Sequence, residues 1–128
     1  SPKRERRRED RTVFILQCDG KYALEKRPGK GLLAGLWQFP NVAGHLDTAH
    51  ALAEVERMGL RPREILREVS RKHIFTHIEW HQSGYFLTVP EQPAPAGCVW
   101  AGKEQLEAAY TLPGAFKVYK KLLLTKLL

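Results

Sequence analysis

The sequence predicts an α/β domain of the α+β type, a central β-sheet with two or three helices against it. Three observations carry this. A β-branched and apolar run, Thr12 to Cys18, meets a strong hairpin signal at Asp19-Gly20. An amphipathic stretch, Thr48 to Met58, has the helical period. A long β-rich half, Arg63 to Val89, precedes two further helical stretches.

The elements follow in order. Residues 1–11 carry six basic and three acidic side chains and no apolar residue except Pro2, and they read as a solvated linker or tail. The domain proper is expected to span residues 12–128. Thr12 to Cys18 lacks clear alternation, as expected of a strand covered on both faces. Asp19-Gly20 turns the chain, and Lys21 to Glu25 returns as its partner. Lys26 to Pro40 reads Lys-Arg-Pro-Gly-Lys-Gly-Leu-Leu-Ala-Gly-Leu-Trp-Gln-Phe-Pro. Its glycines free the backbone to turn as far as Gly35, and Leu36 to Phe39 form a short strand that Pro40 closes. The basic side chains Lys26, Arg27 and Lys30 sit on backbone able to approach a phosphate.

Asp47 is an N-cap for the helix, which buries Ala51, Leu52, Val55 and Met58, and Gly59 ends it. Glu64 to Val69 and Ile74 to Trp80 read as strands, Gln82-Ser83-Gly84 as a turn or bulge, and Tyr85 to Val89 as extended. Taken alone, Phe75-Thr76-His77 reads as mid-strand. His73, His77 and His81 recur at every fourth residue, but along a strand that spacing does not converge on a metal. Cys98 to Trp100 is a short strand. Helices follow from Lys103 to Ala109 and from Ala115 to near Lys126, the last with Phe116, Tyr119 and Leu123 on one face.

Twenty-one Lys and Arg against fourteen Asp and Glu give +7, a balance that points to a polyanionic partner, nucleic acid first. A membrane surface fits less well, because no basic amphipathic helix carries exposed aromatics. No apolar run approaches the roughly eighteen residues of a membrane span, and no signal peptide is visible. Cys18 and Cys98 are isolated, matching neither a disulfide framework nor a metal knuckle, and read as buried thiols of a reducing compartment. The chain opens with Ser1, as a fragment or processed chain would.

Arg-Pro-x-x-Gly-Leu-Leu-Ala-Gly-Leu-Trp-x-Phe-Pro resembles the start of the C-terminal domain of MutY-type adenine DNA glycosylases, relatives of the Nudix hydrolases. Phe75-Thr76-His77 is similar to the Phe-Ser-His or Phe-Thr-His tripeptide of that family, and the resemblance extends over about residues 12–125. It implies a Nudix-like fold, with a central mixed β-sheet flanked by two to three helices. It moves Phe75-Thr76-His77 from mid-strand to a strand junction that inspects oxidised guanine. The implied function is recognition of 8-oxoguanine opposite adenine in duplex DNA. Phe75, Thr76 and His77 would meet the lesion, and Lys26, Arg27, Lys30, Arg71 and Lys72 would hold the phosphates. The partners implied are that duplex and the N-terminal catalytic domain of the same protein, which carries the catalytic carboxylates and an iron–sulfur cluster. No cofactor, metal or catalytic residue is expected in this chain, which lacks the four clustered cysteines of such a cluster. A monomer in a bacterial cytoplasm, associated with the nucleoid, is the corresponding expectation.

Two other readings use the same fold: a free-standing Nudix pyrophosphatase acting on oxidised nucleotides, and a non-catalytic interaction or nucleotide-sensing module. The pyrophosphatase needs carboxylates along one helix to hold Mg²⁺. Its box ends Arg-Glu-hydrophobe-any-Glu-Glu-any-Gly-hydrophobe. Anchored on Gly59-Leu60, those positions fall on Leu52, Ala53, Glu56 and Arg57, and the earlier Glu falls on Gly44. Glu56 alone remains of the metal set.

Overall fold

The structure is a computed structural model that describes residues 5–125. Among them are seven strands and three helices: β1 (Arg7–Cys18), β2 (Lys21–Lys26), β3 (Trp37–Gln38), β4 (Asn41–Ala43), α1 (Thr48–Arg57), β5 (Glu64–Ile74), β6 (Ile78–Thr88), β7 (Cys98–Gly102), α2 (Lys103–Ala108) and α3 (Gly114–Leu124). The strands form one mixed sheet in the order β3-β2-β1-β6-β5, with β4 also paired to β1 and β7 to β2. β1 runs parallel to β6 from Arg7↔Ile78 to Gln17↔Thr88 and antiparallel to β2 and β4.

The burial of β1 explains its unbroken apolar run. Val13 and Ile15 face one core, with Leu24, Phe39, Phe86 and the Phe116, Tyr119 and Leu123 side chains of α3. Phe14 and Leu16 face the other, with Tyr85, Leu87 and the Ala51 and Val55 side chains of α1. A strand covered on both sides needs apolar residues at both parities. Thr12 is fully buried and uses its hydroxyl twice: Oγ1 donates to the Gly44 carbonyl at 2.7 Å and accepts from the Leu46 N–H at 2.9 Å. That pins the approach to α1, whose first turn Asp47 caps by accepting from the His50 N–H.

Three sequence boundaries move. Residues 7–11, expected to belong to the tail, are the first part of β1. Their charges pair along the strand, Arg7 with Glu9 at 3.0 Å and Arg8 with Asp10 at 2.8 Å, while the backbone is held in the β6 ladder. Composition missed this because side chains at i and i+2 share a strand face, so the charges can pair there. Residues 1–4 of the expected tail, and Lys126 at the expected end of the last helix, lie outside the described residues.

Gln82-Ser83-Gly84 is neither turn nor bulge but the middle of β6. Gly84 stands there because the Tyr119 ring lies against its α-carbon, where a Cβ would overlap it. Gln82 is buried and accepts the Tyr119 hydroxyl at 2.8 Å. The register shift of the β5–β6 ladder lies instead between Ile65 and Arg67. The run expected as one strand from Ile74 to Trp80 is broken: β5 ends at Ile74 and β6 begins at Ile78.

Candidate nucleic-acid interface

Phe75, Thr76 and His77 form the turn between β5 and β6. The Phe75 N–H donates to the Ile78 carbonyl at 2.8 Å, and the Arg7 N–H at the start of β1 donates to the His77 carbonyl at 2.9 Å. With the backbone on either side of it tied down, the exposed side chains of Thr76 and His77 project from a fixed turn. His73, His77 and His81 thereby fall on β5, the turn and β6. Among the described residues no three His, Cys, Asp or Glu side chains are grouped to hold a metal ion.

Phe75 turns inward. Its ring is half-buried, edge-on to His73 (centroids 4.7 Å apart) and to Trp80 (5.0 Å). Trp80 is only 2% exposed. It packs edge-on to Phe116 and donates its indole N–H to Glu9 Oε1 at 3.3 Å, with the Arg11 and Arg27 guanidiniums over its ring at 5.7 and 5.4 Å. Burial lowers the His73 pKa, and so does the nearby Arg71 charge, which favours a neutral imidazole against Phe75.

The glycine-rich loop closes onto this turn. The Arg27 N–H donates to the Leu36 carbonyl, and the Gly35 N–H to that of Pro28. The Arg27 side chain is spent inside the loop: Nε donates to the Leu32 carbonyl at 2.9 Å and Nη1 to Gln38 Oε1 at 2.6 Å, while Gln38 Nε2 donates to Glu25. Desolvation and the neighbouring Arg11 charge lower its pKa. Arg27, expected from sequence at a phosphate, therefore braces the loop. What the loop presents is Leu32, which with Ile74, Phe75, Thr76, His77 and Ile78 lines a groove of about 420 Å³.

The Arg71-Lys72 pair is divided. Successive strand residues point to opposite faces. Arg71 stands opposite Gln82, whose side chain reaches Tyr119 on the α3 side. Lys72 stands opposite His81 and lies 3.4 Å from Glu79 on the α1 side, so the two side chains leave β5 in opposite directions. Lys26, Lys30 and Arg71 are exposed, and none has a carboxylate within ion-pair distance among the described residues.

The sequence did not single out Leu32, Ile74 or Trp80 for this site. An apolar side chain inside a glycine-rich basic loop was the one available signal, and it applied to Leu32 alone.

At the other pole, α1 offers a poor cradle for a cation. Glu54 is tied to Arg57 at 3.5 Å, and Arg57 occupies one of the paired Glu positions of a pyrophosphatase box. A divalent cation on a diphosphate needs several converging carboxylates, and these residues do not fit it.

A family model described as NUDIX domain matches residues 11–122. The chain belongs to the NUDIX domain family. Within it, the sequence is similar to adenine DNA glycosylases: 30% identical to that of Homo sapiens over 89% of this chain and 23% of the relative. It is 38% identical to that of Arabidopsis thaliana over 48% of this chain and 12% of the relative. The chain thus spans less than a quarter of the length of these relatives. Among solved structures, this NUDIX domain is similar to the C-terminal domain of mouse MUTYH, in a complex with human PCNA. The TM-score is 0.63 at 24% identity, covering 92% of this chain and 88% of that one. A MutT NUDIX hydrolase from Burkholderia pseudomallei gives 0.69 at 17% identity, over 90% and 97%. At those identities the structures speak for the fold, and the glycosylase sequences place the chain with the MutY-type C-terminal domains. No helix among the described residues is long and apolar enough to cross a membrane.

Proposed function

We propose that this NUDIX domain reads 8-oxoguanine opposite adenine in duplex DNA for an adenine DNA glycosylase. Adenine excision, and the iron–sulfur cluster that the resemblance implies, would belong to a separate helical domain. The observation that carries the reading is the Phe75-Thr76-His77 turn, which presents a hydroxyl and an imidazole from a braced hairpin end.

Oxidation converts guanine N7 from an acceptor to an N–H donor and adds a carbonyl at C8. The Thr76 hydroxyl both donates and accepts, so it can meet this altered edge. Guanine itself offers only acceptors at N7 and O6 and would leave a differently arranged set unpaired. His77 supplies a donor to the base edge or a phosphate, and Lys26, Lys30 and Arg71 supply exposed positive charge for the backbone.

Binding of the chain to fluorescent duplexes at low ionic strength tests this. The expected result is weak, salt-sensitive binding with preference for 8-oxoguanine:adenine over guanine:adenine. Equal affinity for the two duplexes overturns the reading. A pyrophosphatase on oxidised nucleotides is the less favoured alternative, because Gly44, Ala53 and Arg57 stand where it requires carboxylates and leave Glu56 alone.

A further inference from the structure

Two large hydrophobic side chains stand exposed among the described residues, and one of them, Ile74 at 47%, adjoins the Phe75-Thr76-His77 turn. It is the last residue of β5, next to Phe75, and it shares the groove of about 420 Å³ with Leu32, Thr76 and His77. Phe75, the aromatic that sequence suggests as a wedge, is held edge-on between His73 and Trp80. To enter a base stack it would have to leave both rings. Ile74 belongs to neither hydrophobic cluster of the core.

We propose that Ile74, with Leu32 across the groove, is the apolar wedge of this surface, pressed against a base step beside the nucleotide that Thr76 reads. The proposal rests on the DNA-reading function above. Aliphatic side chains of this size unstack base steps in other architectural contacts, since an apolar tip fills the gap left between bases without needing a hydrogen bond. The surroundings favour a nucleic-acid occupant over an apolar peptide. The six residues lining the groove include no carboxylate, the loop that carries Leu32 also carries exposed Lys30, and Lys26 is exposed at the end of β2 that leads into it. Glu79, which pairs with Ile74 across the ladder, has its charge answered by Lys72 at 3.4 Å.

The test uses the chain with 8-oxoguanine:adenine duplexes carrying 2-aminopurine next to the lesion, whose fluorescence rises when it is unstacked. Binding of the unaltered chain should raise the signal. Ile74→Ser should abolish that rise and weaken affinity about three- to tenfold, the loss suited to an apolar side chain already half-buried in the free protein. Ile74→Leu should keep both. Leu32→Ser, on the other side of the groove, gives an independent reduction that does not depend on the behaviour of β5.

An unchanged rise with both Ile74→Ser and Leu32→Ser overturns the wedge. So does a lesion-selective complex with no fluorescence rise at all, which leaves the lesion-reading function standing. Unstacking that depends on Ile74 but is equal on damaged and undamaged duplexes supports the wedge and removes the lesion-reading function.

Discussion

Phe75 meets Trp80 edge-on, with ring centroids 5.0 Å apart and planes at 76°. This contact joins the proposed reading turn to the core, because Trp80 is itself held by Phe116, Glu9, Arg11 and Arg27. A turn of three residues is ordinarily free to reorient. Here its middle residue is carried between an aromatic anchor and a backbone tie from Arg7 to His77.

Phe75→Ala removes a half-buried ring from two edge contacts and should destabilise the fold by about 2 kcal/mol. Phe75→Leu should recover most of that by filling the same space. Urea denaturation measures both. If Phe75→Ala leaves the midpoint unchanged, the ring is not an anchor and its role must be at the DNA.

Arg27 and Lys30 should separate cleanly, although sequence groups them. Arg27→Ala leaves the Leu32 carbonyl and Gln38 Oε1 without their donor and should cost about 1–2 kcal/mol of stability. Lys30→Ala should leave stability within about 0.5 kcal/mol and lower the slope of log affinity against log salt by about 0.9, one phosphate contact. Thermal melts and binding titrations over a salt series distinguish the two. The reverse pattern would show that Arg27 faces the nucleic acid.

Thr76 is exposed, so its variants test chemistry with little structural cost. Thr76→Val keeps shape and loses donor and acceptor, and should narrow the preference for 8-oxoguanine:adenine over guanine:adenine by roughly 1–3 kcal/mol. Thr76→Ser should keep it. If Thr76→Val and His77→Ala both leave the ratio unchanged, the reading atoms lie elsewhere on the domain.

Burial, with the Glu25 carboxylate adding to it, pushes the Cys98 thiol up to about 11. The folded state therefore keeps a proton that the unfolded chain releases from about pH 8.5. Stability from this group is complete below that pH and is lost as pH rises toward 11. Denaturation midpoints should fall more steeply across that window in the unaltered chain than in Cys98→Ala. Alkylation of Cys98 at pH 8.5 should be slower in the folded chain than in the unfolded one. Equal rates would mean that the thiol is not shielded.

The places of the three helices, the Asp19-Gly20 hairpin, the Asp47 cap and the two-sided burial of β1 were legible in the sequence, because each rests on local propensity or on the period of apolar residues, whereas β4 was not and the two long strands β5 and β6 read as three shorter ones. Positive φ at both Asp19 and Gly20 is what that dipeptide supplies most readily. The family was legible from two motifs, and with it the shift of Phe75-Thr76-His77 from mid-strand to turn, for which the residues themselves gave no bend signal. Gly84 misled, since a glycine that punctuates a loop and one that admits a Tyr119 ring look the same in one dimension.

The sequence by itself determined the fold class, the position of the Phe75-Thr76-His77 turn once the motif was matched, and the loss of the carboxylates from the α1 box. Only the tertiary structure decided which cations face outward, which aromatic is an anchor, and that Leu32 and Ile74, 42 positions apart, line one groove. The physical reason is that a side chain's direction depends on its partners across the sheet. Arg27 is drawn inward by Gln38 and the Leu32 carbonyl, Arg71 and Lys72 are parted by strand alternation, and Phe75 is captured by Trp80.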